Sequence, residues 1–232
     1  HIIKHFLNVY GGVSTSGFET DAANYFGSKG YTFAGSIEEY RTIKEWLANF
    51  AWQCRCYFHF SGGKAKLQWR PDSITSAKTI TKNMIRMDGS KTTLKGPGTS
   101  PLEEIINTLN IYYNKNRAQD SDEAYQGKYS TSDSASVSKH GTKENPDLFY
   151  FDFVTSESMA EDVGDFYLAR YKTRKKDFSL EVFLDNIDLK FANGVTIEPA
   201  GNVLCEVQKV NIYPGSGRDK RNDRITLHVR EY

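Results

Sequence analysis

Four stretches of the 232-residue chain bring chemistry-bearing side chains close together in sequence. Cys54, Cys56 and His59 are ligand types that zinc accepts, but the spacing is wrong for a zinc knuckle. On a strand, His59 also falls on the face opposite the two thiols. Ser136-Val137-Ser138-Lys139 matches S-x-x-K, in which a lysine on the same helical turn activates a serine. It lies in a Ser-rich polar stretch with no S-D-N or K-T-G partner, so it reads as a chance match. Glu38-Glu39 and Glu103-Glu104 are adjacent pairs, and neighbours in sequence point apart on a helix or strand. They read as a helix start and as solvated surface. No HExxH, GxSxG, GxGxxG, Walker or EF-hand pattern occurs. The sequence therefore predicts no catalytic residue, no metal ligand and no cofactor.

The cations offer recognition rather than catalysis. Arg170, Lys172, Arg174, Lys175 and Lys176 cluster where a helix is predicted to end. Positive charge there complements the helix dipole, and the same five residues are the candidate contact for phosphate or an acidic partner. A second run, Arg218-Asp219-Lys220-Arg221-Asn222-Asp223-Arg224, mixes signs after Pro214-Gly215-Ser216-Gly217 and reads as an exposed hairpin tip. Trp52, Tyr57 and Trp69 read as hairpin core rather than as a platform for sugars or bases.

Composition narrows the classes further. Thirty Lys+Arg against 29 Asp+Glu leave a net charge of +1, so no global field draws the chain to nucleic acid or an anionic membrane. Hydrophobic residues at 38% and aromatics at 13% exclude a disordered chain. No apolar run approaches the about 20 residues of a membrane helix. No secretory leader is visible, and the chain opens on His1 inside a helical pattern, which reads as a piece of a longer protein. Three cysteines, two of them separated by one residue, make a poor disulfide framework. Reduced thiols suit assembly in a cytoplasm.

The elements that must position these side chains are predicted as follows. Ile2, Ile3, Phe6, Leu7 and Tyr10 follow helical spacing up to Gly11-Gly12, and residues 14–30 read as loop. Ser36 with Glu39 forms a capping box, opening a helix whose face carries Ile37, Tyr40, Ile43, Leu47 and Phe50. Cys54, Cys56, Phe58 and Phe60 alternate on a strand, Ser61-Gly62-Gly63-Lys64 turns, and Ala65, Leu67 and Trp69 return. The helix should pack on the buried face of that hairpin. Thr79-Ile80-Thr81 leads into a helical turn ending near Met87, and Lys95-Gly96-Pro97-Gly98 is a breaker. Leu109, Ile111 and Tyr113 form a strand. Residues 120–147 are the least structured stretch, expected to order only on assembly. Leu148–Val154 is a buried strand. Ser156 opens a helix with Met159, Val163, Phe166, Tyr167 and Arg170 on one face. Strands follow at Phe178–Leu184, Val195–Ile197, Val203–Tyr213 and Ile225–Val229. The class is α+β, an antiparallel sheet or barrel with a helix–β-hairpin subdomain. The division is residues 1–75 against 76–232, the second mainly β with one crossing helix over 156–173.

The order of these signals resembles bacteriophage tail hub and tail-tip baseplate proteins over nearly the whole chain. Tyr31-Thr32-Phe33-Ala34-Gly35-Ser36, Ile43-Lys44-Glu45-Trp46-Leu47 and Gly62-Gly63-Lys64-Ala65-Lys66-Leu67 look like that family's early helix start and strand-Gly-Lys-strand unit. Thr79-Ile80-Thr81-Lys82-Asn83-Met84-Ile85 resembles its T-I-T-x-x-x-I segment, and Leu109-Asn110-Ile111-Tyr112-Tyr113 its N-x-v-x-V-x-Y strand. Ser136 to His140-Gly141 is similar to its S-x-x-x-Y-G loop, with His for Tyr. Met159-Ala160-Glu161-Asp162-Val163 through Leu168-Ala169-Arg170 resembles its A-x-x-v-A-x-x-L-L-x-R helix. Val195-Thr196-Ile197-Glu198-Pro199, Pro214–Gly217 and Asp223-Arg224-Ile225-Thr226-Leu227 are similar to its closing barrel strands. The family's P-G-D-x-V turn is only partly matched by Phe191-Ala192-Asn193-Gly194-Val195.

The resemblance implies a structural, non-enzymatic module of the virion tail, assembled in the bacterial host cytoplasm. Its implied partners are other tail proteins and two further copies of the full parent, with no specific nucleic acid and no membrane span. A receptor- or glycan-binding tail module, with Trp69 in contact, and the non-catalytic part of a tail-associated cell-wall hydrolase are the alternatives. The strands Val203–Tyr213 and Ile225–Arg230 are expected as open edges that a ring of copies would cover.

Overall fold

The computed structural model describes residues 2–12, 14, 18–37, 40–119, 124–144, 149–186, 188–213 and 223–232. Helix α1 (Ile2–His5) runs on as a π-helical turn over Phe6–Tyr10. Next come β1 (Glu19–Thr20), α2 (Ala22–Lys29), α3 (Ile43–Gln53), β2 (Cys56–Ser61) and β3 (Lys64–Trp69). The middle holds β4 (Ser76–Ile80), β5 (Met87–Asp88), β6 (Lys91–Thr92), β7 (Lys95–Thr99), β8 (Thr108–Lys115) and β9 (Tyr125–Ser132). The remainder is α4 (Ser134–His140), α5 (Glu157–Tyr171), β10 (Lys176–Val182), β11 (Gly194–Ile197), β12 (Val203–Tyr213) and β13 (Arg224–Glu231). The class is α+β, and the described sheets are open rather than closed into a barrel.

The chain folds as two compact units, His1–Pro71 with Ile106–Lys172, and Asp72–Ile105 with Thr173–Tyr232. The predicted cut at residue 75 falls near the first crossing, but the chain returns to the first unit for residues 106–172. The reason is core membership. Leu109, Ile111, Phe149, Val163 and Tyr167 share one buried cluster with Cys56, Leu67 and Trp69.

In the first unit, β2 and β3 pair in register from Cys56↔Trp69 to Ser61↔Lys64, and β1 adds parallel to β3. Gly62 and Gly63 supply the two positive φ values, 60° and 73°, that the two-residue turn requires. Helix α3 begins at Ile43, not after Ser36. Thr42 is its N-cap: its Oγ accepts the Glu45 amide at 3.3 Å while the Glu45 carboxylate accepts the Thr42 amide at 2.7 Å. Two T/S-x-x-E boxes stand six residues apart, and the one at Thr42, just ahead of the buried Trp46, Leu47 and Phe50, caps the helix. Ser36 and Ile37 lie outside any helix, Ile37 and Tyr40 are exposed, and Glu38-Glu39 lies outside the described residues. Phe60 is exposed as well, although its register partner Ala65 is buried.

The stretch predicted as a loop at 14–30 contains β1 and α2, anchored where Asp21 Oδ1 accepts the Trp69 amide at 2.7 Å. The stretch 120–147, expected to be unstructured, contains β9 and α4; Asp120–Glu123 and residues 145–147 lie outside the described residues. Strand β9 is polar on one side because that face meets water, while Tyr129 turns inward against the core. Its register with β8 runs from Thr108↔Ser132 to Lys115↔Tyr125. Phe149, Phe151, Phe153 and Val154 are buried as predicted, but as an extended segment joined to β8 by a single bridge at Tyr112↔Tyr150 rather than as a continuous strand; Leu148 lies outside the described residues. Helix α5 buries Met159, Val163, Phe166 and Tyr167, the predicted face. It lies close on the β8–β9 ribbon because residue 164 is glycine: a Cβ there would stand 2.5 Å from Ile111 Cδ1.

The second unit is a six-stranded sheet in the order β4-β11-β12-β13-β10-β7, antiparallel except where β4 runs parallel to β11. Lys95–Gly98, predicted as a breaker, is β7, a short edge strand beside β10. Thr79–Ile80 ends β4, a single 3-10 turn spans Lys82–Met84, and Met87 opens β5 rather than ending a helix. Leu184 sits in a turn beyond β10. The strands expected as open edges are mostly interior. β13 is flanked on both sides, and β12 pairs with β13 along its length and with β11 over Val203–Glu206. Pro214–Asn222, which includes the predicted turn and most of the mixed-charge tip, lies outside the described residues.

Candidate functional site

The most developed polar cluster lies in the first unit and was not visible as a motif. Arg55 follows α3 with φ 46°, in the left-handed region that a non-glycine residue occupies at a cost. Its side chain is 1% exposed. The guanidinium lies 4.6 Å from the Trp69 ring centre and 4.0 Å from that of Phe166. Nε and Nη2 donate to the Arg70 carbonyl at 3.2 and 3.0 Å, and Nη1 donates to Asp162 Oδ2 at 3.0 Å. Lys29 and the Tyr31 hydroxyl also donate to Asp162. Burial by itself would raise the Asp162 pKa, but the bonds from Lys29 and Tyr31 and the Arg55 charge prevail and hold it below the ordinary value. Burial, followed by the bond to Asp162, raises the Tyr31 phenol, so it stays protonated. The donors converging on Asp162 are engaged within the fold. The cluster can hold α2, the β2–β3 hairpin and α5 in one arrangement. It was illegible because its members lie 107 to 133 residues apart from Asp162.

The structure gives each of the five predicted contact cations its own local surroundings. Arg170 lies 5.2 Å over the Phe166 ring. Lys172 pairs with Asp133 at 2.8 Å, and that carboxylate, held low by Lys172 and by the Ser136 amide, also caps α4. Arg174 Nε donates to the Ser100 carbonyl at 2.7 Å. Lys175 Nζ donates to the Tyr232 carbonyl at 3.1 Å. The Lys176 amide donates to Glu231 at 3.1 Å, and its side chain is exposed, as is that of Arg174.

Ser136, the cysteines and Trp69 are buried, whereas Glu103 and Glu104 are exposed. Ser136 sits on helix α4, not in a loop, and its hydroxyl donates to the Lys172 carbonyl at 2.6 Å. Cys54 Sγ donates to the Phe50 carbonyl and Cys56 Sγ to that of Cys54. Burial raises the Cys56 thiol, and burial pushes Cys205 up to about 12. Burial and then Lys66 lower His59. Trp69, the residue of the glycan-binding alternative, is 5% exposed and stacked on Tyr25 at 4.9 Å. Its ring is committed to packing.

No protein-family model and no curated protein matches the chain. Solved structures do. A chain in the virion of the native gene transfer agent (GTA) particle is similar at TM-score 0.60 and 8% identity, over 84% of this chain and 40% of that one. The tail protein from Neisseria meningitidis MC58 is similar at TM-score 0.57 and 10% identity, over 99% of this chain and 65% of that one. Prophage tail protein gp18 from Listeria monocytogenes EGD-e aligns at TM-score 0.47 and 15% identity, over 91% and 59%. The fold is similar to that of a chain of a virion particle. It is also similar, over nearly the whole chain, to that of a solved tail protein, the kind of protein that the sequence motifs resemble. The chain spans 40% and 65% of the length of the first two structures.

Proposed function

We propose that the chain is a structural module of a phage tail hub or baseplate that joins the tail tube to tip, spike or fibres and catalyses nothing. The observation that carries this reading is fold likeness to the Neisseria tail protein across 99% of the chain. Its place is the virion tail, after assembly in the host cytoplasm, and its partners are other tail proteins. The full parent forms a homotrimer through a β-rich interface. The open part of β12 beyond its pairing with β11 supports this, since Ile212 and Tyr213 there are 50% and 46% exposed. Arg170, Lys172, Arg174, Lys175 and Lys176 face an acidic neighbour or the lumen, Arg174 and Lys176 most directly. Light scattering on the full parent protein is the test. A trimer is expected, and a monodisperse monomer at high concentration overturns the hub reading.

A further inference from the structure

The first unit contains a cavity of about 520 Å³ that none of the functions above uses. It falls within the roughly 300–1,000 Å³ of small-molecule sites. Its walls include Ile3, Phe18, Phe26, Phe33 and Leu67. The first four are large apolar side chains only half-buried, and all four border the same space. Scattered exposure of this kind is ordinary; convergence on one concavity is the mark of a binding site.

Three polar side chains that border the cavity bond within the fold. Tyr31 gives its hydroxyl hydrogen to Asp162, and Thr20 Oγ accepts the Ala22 amide at 3.1 Å. Cys54 Sγ donates to the Phe50 carbonyl at 3.1 Å. The large apolar walls hold water poorly, so an apolar occupant displaces it at low cost. Among the described lining residues one carries a charge: Lys4, exposed, with its ammonium 5.5 Å from the Phe18 ring centre.

The geometry points to this cavity as a site for a single-chain fatty-acid anion, its tail among Phe18, Phe26, Phe33 and Leu67 and its carboxylate at Lys4. The apolar walls select the tail and the lone cation selects the head.

The test titrates the full 232-residue chain with the fluorescent fatty acid cis-parinarate, then displaces it with decanoate or with decanol. Saturation at one probe per chain is expected, with decanoate displacing better than decanol. Lys4→Ala should weaken decanoate by roughly two- to fivefold, the range of an exposed ion pair, and leave decanol unchanged. Ala23 lies on the rim and is exposed, so Ala23→Trp should remove saturable binding with the far-UV circular dichroism unaltered. Non-saturable uptake, or saturable binding that Ala23→Trp leaves intact, overturns the site. Equal displacement by decanol and decanoate overturns the assignment of the head group to Lys4.

Discussion

The two units reach burial by different means. The second is an aliphatic sheet: Ile80, Val182, Val195, Ile197, Val207, Ile225 and Leu227 are fully buried, and Phe178 is the one aromatic among its described buried residues. The first is aromatic and cationic. Trp46, Phe50, Trp69, Phe149, Phe151, Phe166 and Tyr167 fill it, and Arg55 is buried among rings. An aliphatic core is held by area removed from water, about 25 cal/mol per Å². An aromatic core with a buried guanidinium depends in addition on a counter-charge, because an unpaired buried ion is costly. The first unit therefore has a point of failure at the Arg55–Asp162 pair.

Asp162→Asn should expose that point. It takes the counter-charge from a buried arginine, a change that costs about 3–5 kcal/mol in comparable pairs. The three tryptophans, Trp46, Trp52 and Trp69, all lie in the first unit, so their fluorescence reports its unfolding. Acid should act the same way. The Asp162 pKa is depressed below 3.8, so its contribution is present above that value and is lost as pH falls through the lower folded value. The tryptophan-monitored midpoint should drop steeply below about pH 4 in the native chain and less steeply in Asp162→Asn. Equal slopes would show that the Arg55–Asp162 pair does not set this unit's acid sensitivity.

The same difference governs what the sequence disclosed. In the second unit, alternating apolar residues at 195–197, 203–213 and 225–229 marked β11, β12 and β13, because a sheet with one buried face writes its structure at period two. The edge β7 was missed because Gly96, Pro97 and Gly98 carry no such pattern. In the first unit the β2–β3 hairpin and α5 were legible from turn glycines and helical spacing. The Asp162 cluster was not, since its donors come from α2, the segment after it and the residue following α3. Nor was β9, whose inward face carries few apolar side chains. The five cations are a run in sequence, and the unit boundary falls within it: Arg170 and Lys172 belong to the first unit, Arg174, Lys175 and Lys176 to the second.

Single truncations in the two cores should sharpen the contrast at the next size of effect. Leu47 is 2% exposed among Phe6, Trp46 and Phe50, and Leu227 is fully buried in the sheet. Leu47→Ala and Leu227→Ala should each cost about 2–5 kcal/mol. Tryptophan fluorescence reads the first. The second is read by labelling of Cys205, fully buried in that unit, in a Cys54→Ser, Cys56→Ser background. Unfolding free energies within experimental error of the parent would mean that either site collapses around the lost volume, against the close packing described here.

The smallest effect decides how the first unit starts its main helix. Two sites carry the same local signal, Ser36 with Glu39 and Thr42 with Glu45, and intrinsic propensity does not separate them. What separates them is where the buried face begins. A helix begun at Ile43 turns Trp46, Leu47 and Phe50 inward together, whereas one begun after Ser36 would have to bury Tyr40, which is fully exposed. The cap at Thr42 closes both halves of its box, amide to hydroxyl and amide to carboxylate. The Thr42 bonds hold the Glu45 carboxylate below its ordinary pKa. Thr42→Ala should therefore cost about 0.5–2 kcal/mol, more than Ser36→Ala, which removes no cap of this helix. Both are read by the tryptophan-monitored transition. The reverse order would restore the helix start at Ser36 and break the account of where this unit's main helix begins.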